Sequence, residues 1–159
     1  MRLLFLAATL AFAIDQISKY VIVHAMELSR IRSIDVLPPI LNLRYGENRG
    51  INFGILDGAP DVTRWILVGF SILVVAGVLY WVMRWHRTPL MLFSGGLLIG
   101  GALGNVLDRV IYGYVLDFLN MSCCGVRNPF VFNLADVFIF AGAIGLILFD
   151  GKTRQKKAS

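Results

Sequence analysis

From Trp65 to Met83 the chain carries no charged residue. About 20 mostly apolar residues suffice to cross the hydrocarbon of a bilayer as a helix, so this stretch alone points to a membrane. Three more runs read the same way: Leu3 to Val23, Leu90 to Leu107 and Val131 to Phe149. The composition agrees, with 57% apolar and only 16% charged residues against about 25% charged in soluble proteins, and a mean hydropathy of +0.72. Disorder is excluded by these values, and a disulfide scaffold by having two cysteines only. The expected fold is an all-α polytopic membrane protein, with four transmembrane helices and a small β element and a loop on the outer face. A length of 159 residues suggests one domain. Its expected parts are spans at about 3–23, 65–83, 90–107 and 131–149, outer loops at 24–64 and 110–130, and a tail at 150–159.

The first run imitates a cleavable signal peptide, since Arg2 precedes it and Ala11-Phe12-Ala13 resembles a cleavage site. It continues through Ile14, Ile17 and Tyr20 to Val23, however, which makes it long enough to span. We therefore expect it to be retained. Basic residues set the orientation: Arg2, the pair Arg84 and Arg87, and the tail residues Lys152, Arg154, Lys156 and Lys157. The positive-inside rule assigns all of these, and so both termini, to the cytoplasm. The net charge of +5 is then explained by topology and anionic lipid, with no nucleic-acid partner required.

In the first outer loop, Pro38-Pro39 breaks the chain, and Ile40 to Tyr45 resembles a short strand. Gly46 to Gly50 reads as a turn, with Ile51 to Ile55 as a returning strand. The third loop, Val110 to Phe130, is aromatic enough to lie in the membrane interface.

Ionisable residues inside a span cost at least about 2.5–3.5 kcal/mol near its centre. Asp15 and Lys19 are four apart, so they share a helix face and can neutralise each other. A structural pair and a polar cavity lining account for them equally well. Gly96, Gly100 and Gly104 form a stripe that permits close helix packing. Asn105, Asp108 and Arg109 gather at the outer end of that span, near the interface where charges are cheap, with Asn105 and Arg109 on one face. Asp117 follows, and Asp136 lies five residues into the last run with no cation close to it in sequence. The two belong to the same membrane face. A buried carboxylate without a partner tends to keep its proton, and a second one close by can share it, as in aspartic proteases. A helix N-terminal carboxylate held by the dipole is the competing explanation of Asp136.

Other chemistries are thinner. His24 and His86 fall on opposite expected sides, which disfavours a histidine triad or zinc site. Cys123-Cys124 is a vicinal pair, by its spacing a poor disulfide and a poor metal site.

At these polar clusters the chain resembles the lipoprotein signal peptidases, the bacterial type II signal peptidases. Asp15-Gln16-Ile17-Ser18-Lys19 is similar to the family's D-Q-x-[ST]-K, and Asn48-Arg49-Gly50 with Phe53 to N-x-G-x-x-F. Gly101 to Arg109 is similar to G-x-x-G-N-x-x-D-R, Leu116-Asp117-Phe118 to V-D-F, and Phe132 to Asp136 to F-N-x-A-D. The resemblance implies an intramembrane aspartic endopeptidase of the bacterial cytoplasmic (inner) membrane. Its substrate would be a diacylglyceryl-modified prolipoprotein, cut just before the lipidated cysteine near the outer leaflet. It implies Asp117 and Asp136 as the catalytic pair. Asn48, Gly50, Asn105, Arg109 and Asn133 would bind substrate or order the site, with Asp15, Lys19 and Asp108 as structural support. No cofactor and no obligate protein partner are implied beyond the substrate and membrane lipids. Ile51-Asn52 departs from the small residues usual after the loop glycine, and Met121 to Cys124 departs in loop three.

Two readings compete. A small proton- or cation-coupled transporter would use carboxylates spread through the membrane depth, of which Asp15 is one. A non-catalytic assembly protein would use the glycine stripe, but leaves Asp136 unexplained.

Overall fold

The computed structural model describes residues 1–50, 60–84, 88–123 and 128–155. Helix α1, Arg2–Lys19, continues into a π-helical turn at Tyr20–Ala25. A single helical turn, α2 (Leu28–Ile31), leads into strands β1 (Ser33–Leu37) and β2 (Leu41–Asn48). Helices α3 (Pro60–Arg84) and α4 (Pro89–Tyr112) follow, then β3 (Val115–Met121) and α5 (Leu134–Gln155).

Among the described residues, three helical stretches are long and apolar enough to cross a membrane: Arg2–Ala25, Asp61–Arg84 and Pro89–Tyr112. The apolar part of the fourth, Leu134–Phe149, is shorter. Their outward faces carry exposed Phe5, Leu6, Leu73, Phe140 and Ile147. That is the surface of a bundle whose surroundings are as apolar as its interior.

Helix α4 is the most enclosed of these. Its start is set by Thr88, whose Oγ1 accepts from the Met91 N–H at 3.2 Å, with Pro89 in the first turn. Its end is set by Gly113 at φ +86°, a left-handed cap suited to glycine. The expected glycine stripe meets α1. A Cβ on Gly96 would lie 2.5 Å from the Leu4 carbonyl oxygen and 2.7 Å from Ala7 Cβ, and one on Gly100 would strike the Ala8 carbonyl oxygen. Gly101 faces the other way, where a Cβ would lie 2.5 Å from the Ala135 carbonyl oxygen of α5. Helix α4 is thus gripped between α1 and α5. Gly96→Ala is expected to force α1 and α4 apart and to destabilise by about 1–3 kcal/mol, the usual cost of overpacking; thermal unfolding in detergent would measure it.

At the end of the bundle where α1 leaves, α4 stops and α5 begins lies a three-stranded antiparallel sheet in the order β1-β2-β3. It differs from the expected β element in two ways. Gly46, Glu47 and Asn48, read as a turn, belong to β2 and pair with Asp117, Leu116 and Val115. The third loop supplies β3, whose Val115 to Phe118 are all buried. A strand covered on both faces lacks the alternation that marks one in a sequence. The expected strand at Ile51 to Ile55 lies outside the described residues, as do Trp85, His86 and Arg87. Val23, Leu28, Leu43, Leu116 and Phe118 form a small core between the sheet and the helix ends.

Candidate active site

Asp117 and Asp136 reach the site from different elements. Asp117 sits in the middle of β3, opposite Gly46 of β2. Asp136 occupies the first turn of α5, because the helix begins at Leu134, later than the expected start at Val131. Asn133 caps it: Asn133 Oδ1 accepts the Asp136 backbone N–H at 3.0 Å, and Asp136 Oδ2 takes the Asn133 N–H at 3.4 Å. This is a reciprocal cap in which the third helical residue reaches back to the capping one. The dipole explanation of Asp136 therefore fits its location, and Asp136 also acts electrostatically on Asp117.

The two carboxylates are linked through amides. Asn133 Nδ2 donates to Asp117 Oδ1 at 2.6 Å, to the Leu116 carbonyl at 3.3 Å and to Asn105 Oδ1 at 3.2 Å. Asn105 Nδ2 donates to Asp136 Oδ1 at 2.9 Å. Asn48 also hydrogen-bonds Asp117. Asp136, isolated in the sequence, thus has Asn105 and Asn133 as donors. Arg109 acts electrostatically on Asp136, Asp117 and Asp108. Asp117 is 3% exposed. Burial first, then the neighbouring Asp136, pushes its carboxyl up to about 7.

Beneath this pair lies a second cluster. Lys19 Nζ is 2.8 Å from both Asp15 Oδ2 and Asp108 Oδ2 and donates to Asn105 Oδ1 at 3.2 Å. Asp108 corrects the expectation of an interfacial charge: it is 1% exposed. Helix α4 runs past it to Tyr112, and β3 folds over it so that the Leu116 N–H donates to Asp108 Oδ2 at 3.1 Å. Asp15 Oδ1 takes the Ala135 N–H at 2.9 Å, satisfying a donor of the first turn of α5. Gly104 makes room for it, since a Cβ there would lie 2.5 Å from Asp15 Oδ2. Asp15 and Lys19 form the expected pair, closed from solvent, and the lysine touches Asn105.

Asn48, Gly50, Arg109 and Asp117 line one open pocket of about 560 Å³ with Leu67 and Phe130. Gly50 holds φ +104°, and its N–H donates to Asn48 Oδ1 at 3.1 Å, which turns the chain after β2. Asp136 heads a second, apolar groove along α5 with Val137, Phe140 and Ile144. Among the described residues no group of His, Cys, Asp and Glu is arranged to hold a metal ion.

The model for signal peptidase (SPase) II matches residues 7–150. The chain belongs to the signal peptidase II family. A lipoprotein signal peptidase of Caulobacter vibrioides is 42% identical over 153 residues, covering 96% of this chain and 88% of that protein. One from Alteromonas mediterranea is 39% identical over 159 residues, 99% of this chain and 85% of that one. Two solved structures described as a bacterial membrane enzyme, each 30% identical, superpose with TM-scores of 0.76 and 0.78. They cover 97% and 91% of this chain, and 90% of their own. This signal peptidase II is therefore a protease of a bacterial membrane, crossing it more than once, and the transporter reading falls away.

Two residues of this signal peptidase II were not singled out from the sequence. Gln16 Nε2 lies within 3.1 Å of Asp15 Oδ2 and Asp108 Oδ1 and 3.3 Å of the Gly104 carbonyl. Its place beside Asp15 in the first-span motif was the available signal. Asn120 is buried and donates to the Asn128 and Phe130 carbonyls at 2.9 and 2.7 Å, pinning the third loop; nothing in the sequence marks it. Cys123, expected to make a poor bridge, is disulfide-bonded.

Proposed function

We propose that this protein works as an intramembrane aspartic endopeptidase in which Asp117 and Asp136 cut a diacylglyceryl-modified prolipoprotein just before its lipidated cysteine. One amide carries the reading. The Asn133 side chain donates to Asp117 Oδ1 at 2.6 Å and receives the Asp136 N–H at 3.0 Å, while its backbone N–H reaches Asp136 Oδ2 at 3.4 Å. The capping residue of α5 therefore ties the two carboxylates into one unit.

The chemistry follows from one proton shared by the pair. The ionised carboxylate takes a proton from water as the oxygen attacks the scissile carbonyl carbon, and the protonated partner donates to the carbonyl oxygen. The tetrahedral diol collapses with proton transfer to the cysteine nitrogen, releasing the signal peptide with a new carboxylate. No covalent intermediate forms. Arg109 and Asn48 face the pocket beside Asp117, where they hold the substrate backbone. Both termini lie in the cytoplasm and the sheet end of the bundle faces the outer leaflet, the level at which a lipid-anchored substrate presents its scissile bond. Purified protein in detergent or lipid should release the signal peptide from a diacylglyceryl-modified prolipoprotein and leave the unlipidated precursor intact. Equal cleavage of both precursors would remove the lipid requirement.

The pH dependence has a defined sign. Since the Asp117 carboxyl lies at about 7, above its ordinary value, the pair keeps its shared proton below that pH and loses it above. The rate should therefore fall as pH rises through about 7, as a macroscopic property of the pair. A profile of kcat/KM between pH 5 and 9 checks it.

A further inference from the structure

We infer that Lys19 is a positioning residue: by fixing the amide of Asn105 it keeps an N–H on Asp136, so that Asp136 takes the proton from water while Asp117 donates to the carbonyl. The inference rests on the aspartic reading above and assigns the two roles within it.

The orientation follows from donor chemistry. An ammonium can only donate, so the Asn105 atom 3.2 Å from Lys19 Nζ must be the carbonyl oxygen. The amide is planar, so its NH2 faces the other way, onto Asp136 Oδ1 at 2.9 Å. The same logic fixes Asn133. The Asp136 backbone N–H can only donate, so Asn133 turns its oxygen there and its NH2 toward Asp117 and Asn105. Both oxygens of Asp136 then meet an N–H, from Asn105 Nδ2 and from the Asn133 backbone at 3.4 Å. Two N–H groups aimed at one carboxylate suit it to accept a proton from water, since neither oxygen faces a group it could donate to. Lys19 itself is only 2% exposed, so bulk solvent does not stand in for its donor. The charged groups around this chain are Asp15 on α1, Asp108 and Arg109 on α4, and Asp117 on β3. Without Lys19, Asn105 Oδ1 keeps one donor, Asn133 Nδ2 at 3.2 Å, and the amide is held less firmly against turning its oxygen toward Asp136.

The test separates this role from support of the fold. The double substitution Lys19→Met with Asp108→Asn removes one positive and one negative charge, leaving the net charge of the cluster unchanged. In the full-length protein, with a diacylglyceryl-modified prolipoprotein as substrate, the folded double variant should lose 10- to 100-fold in kcat at unchanged KM. The acid limb of its kcat profile should move up by about one pH unit, the size expected for a lost hydrogen bond to a charged group. Asn105→Ala, which leaves Lys19 paired with Asp15 and Asp108, should move the limb the same way, and combining it with the double substitution should add little. Should that double variant not fold, Lys19→Met with Asp15→Asn reads the same loss of the lysine, because Asn105→Ala reports on the Asn105 donor alone. An unmoved acid limb in either folded variant overturns the inference and leaves Lys19 a purely structural residue. If Asp117→Asn or Asp136→Asn cuts at the parental rate, the aspartic reading fails and takes the inference with it. An active parent that depends on both aspartates, with an unmoved limb in the variants, removes the inference alone.

Discussion

Asp117→Asn and Asp136→Asn should each reduce cleavage of the lipidated precursor at least about 10³-fold, within the range of positioned acid–base groups. Each keeps the size of the side chain and removes the titrating carboxyl. The Asn133 contact to Asp117 Oδ1 survives, because the amide oxygen also accepts. The two substitutions should differ from ordinary core damage in stability. Asp117 holds its proton up to about 7 in the fold, against about 3.9 in an unfolded chain. Its ionisation therefore costs the folded state nothing below the unfolded value, and progressively more as pH rises toward 7. Asp117→Asn removes that cost and should be more stable than the parent at pH 8, by about 1–3 kcal/mol. Cleavage assays paired with thermal unfolding at pH 5 and pH 8 measure both effects. An inactive variant with reduced stability at pH 8 would mean that the carboxyl serves the fold and is not strained for function.

Lys19→Met alone should be the most damaging single change to the fold. It leaves Asp15 and Asp108 enclosed at 0% and 1% exposure with their shared cation gone. Breaking a buried ion pair on one side costs about 3–5 kcal/mol. The remaining donors soften the loss, since Gln16 and the Ala135 N–H reach Asp15, and Gln16 and the Leu116 N–H reach Asp108. Replacing the lysine and Asp108 together should recover part of the stability, because only Asp15 is then left without its cation. Thermal unfolding of the single and double variants in one detergent gives the comparison. A single variant as stable as the parent would show that the amide donors alone hold both carboxylates.

The sequence made the chemistry legible further than the architecture. Asp117 and Asp136 were candidates from their place beside membrane runs, and it was the resemblance to the signal peptidases that singled them out as a pair. The spacing of Asp15 and Lys19 gave their pairing directly, through the period of a helix. The position of Asp108 could not be read this way, since its burial depends on β3 closing over the end of α4, and no local pattern announces that closure. Nor could the donors to Asp136. Asn105 lies 31 residues away and comes into reach only when α4 and α5 pack across Gly101. The sheet was placed partly wrong for a related reason: its third strand is covered on both faces, and Gly46 pairs in a strand, where a residue without a side chain reads as a turn.

The bond from Asp15 to the Ala135 N–H joins residues 120 positions apart. It makes the first helix of the chain the partner that completes the start of the last. Translation delivers these two segments at opposite ends of synthesis, so during insertion the first helix waits with a carboxylate and its lysine before α5 exists. Until α5 arrives and its opening turn is wound, Asp136 has no fixed place and the amide chain through Asn133 is open. With Asp117 and Asp136 as the proposed cutting pair, a half-inserted chain would therefore hold no complete centre.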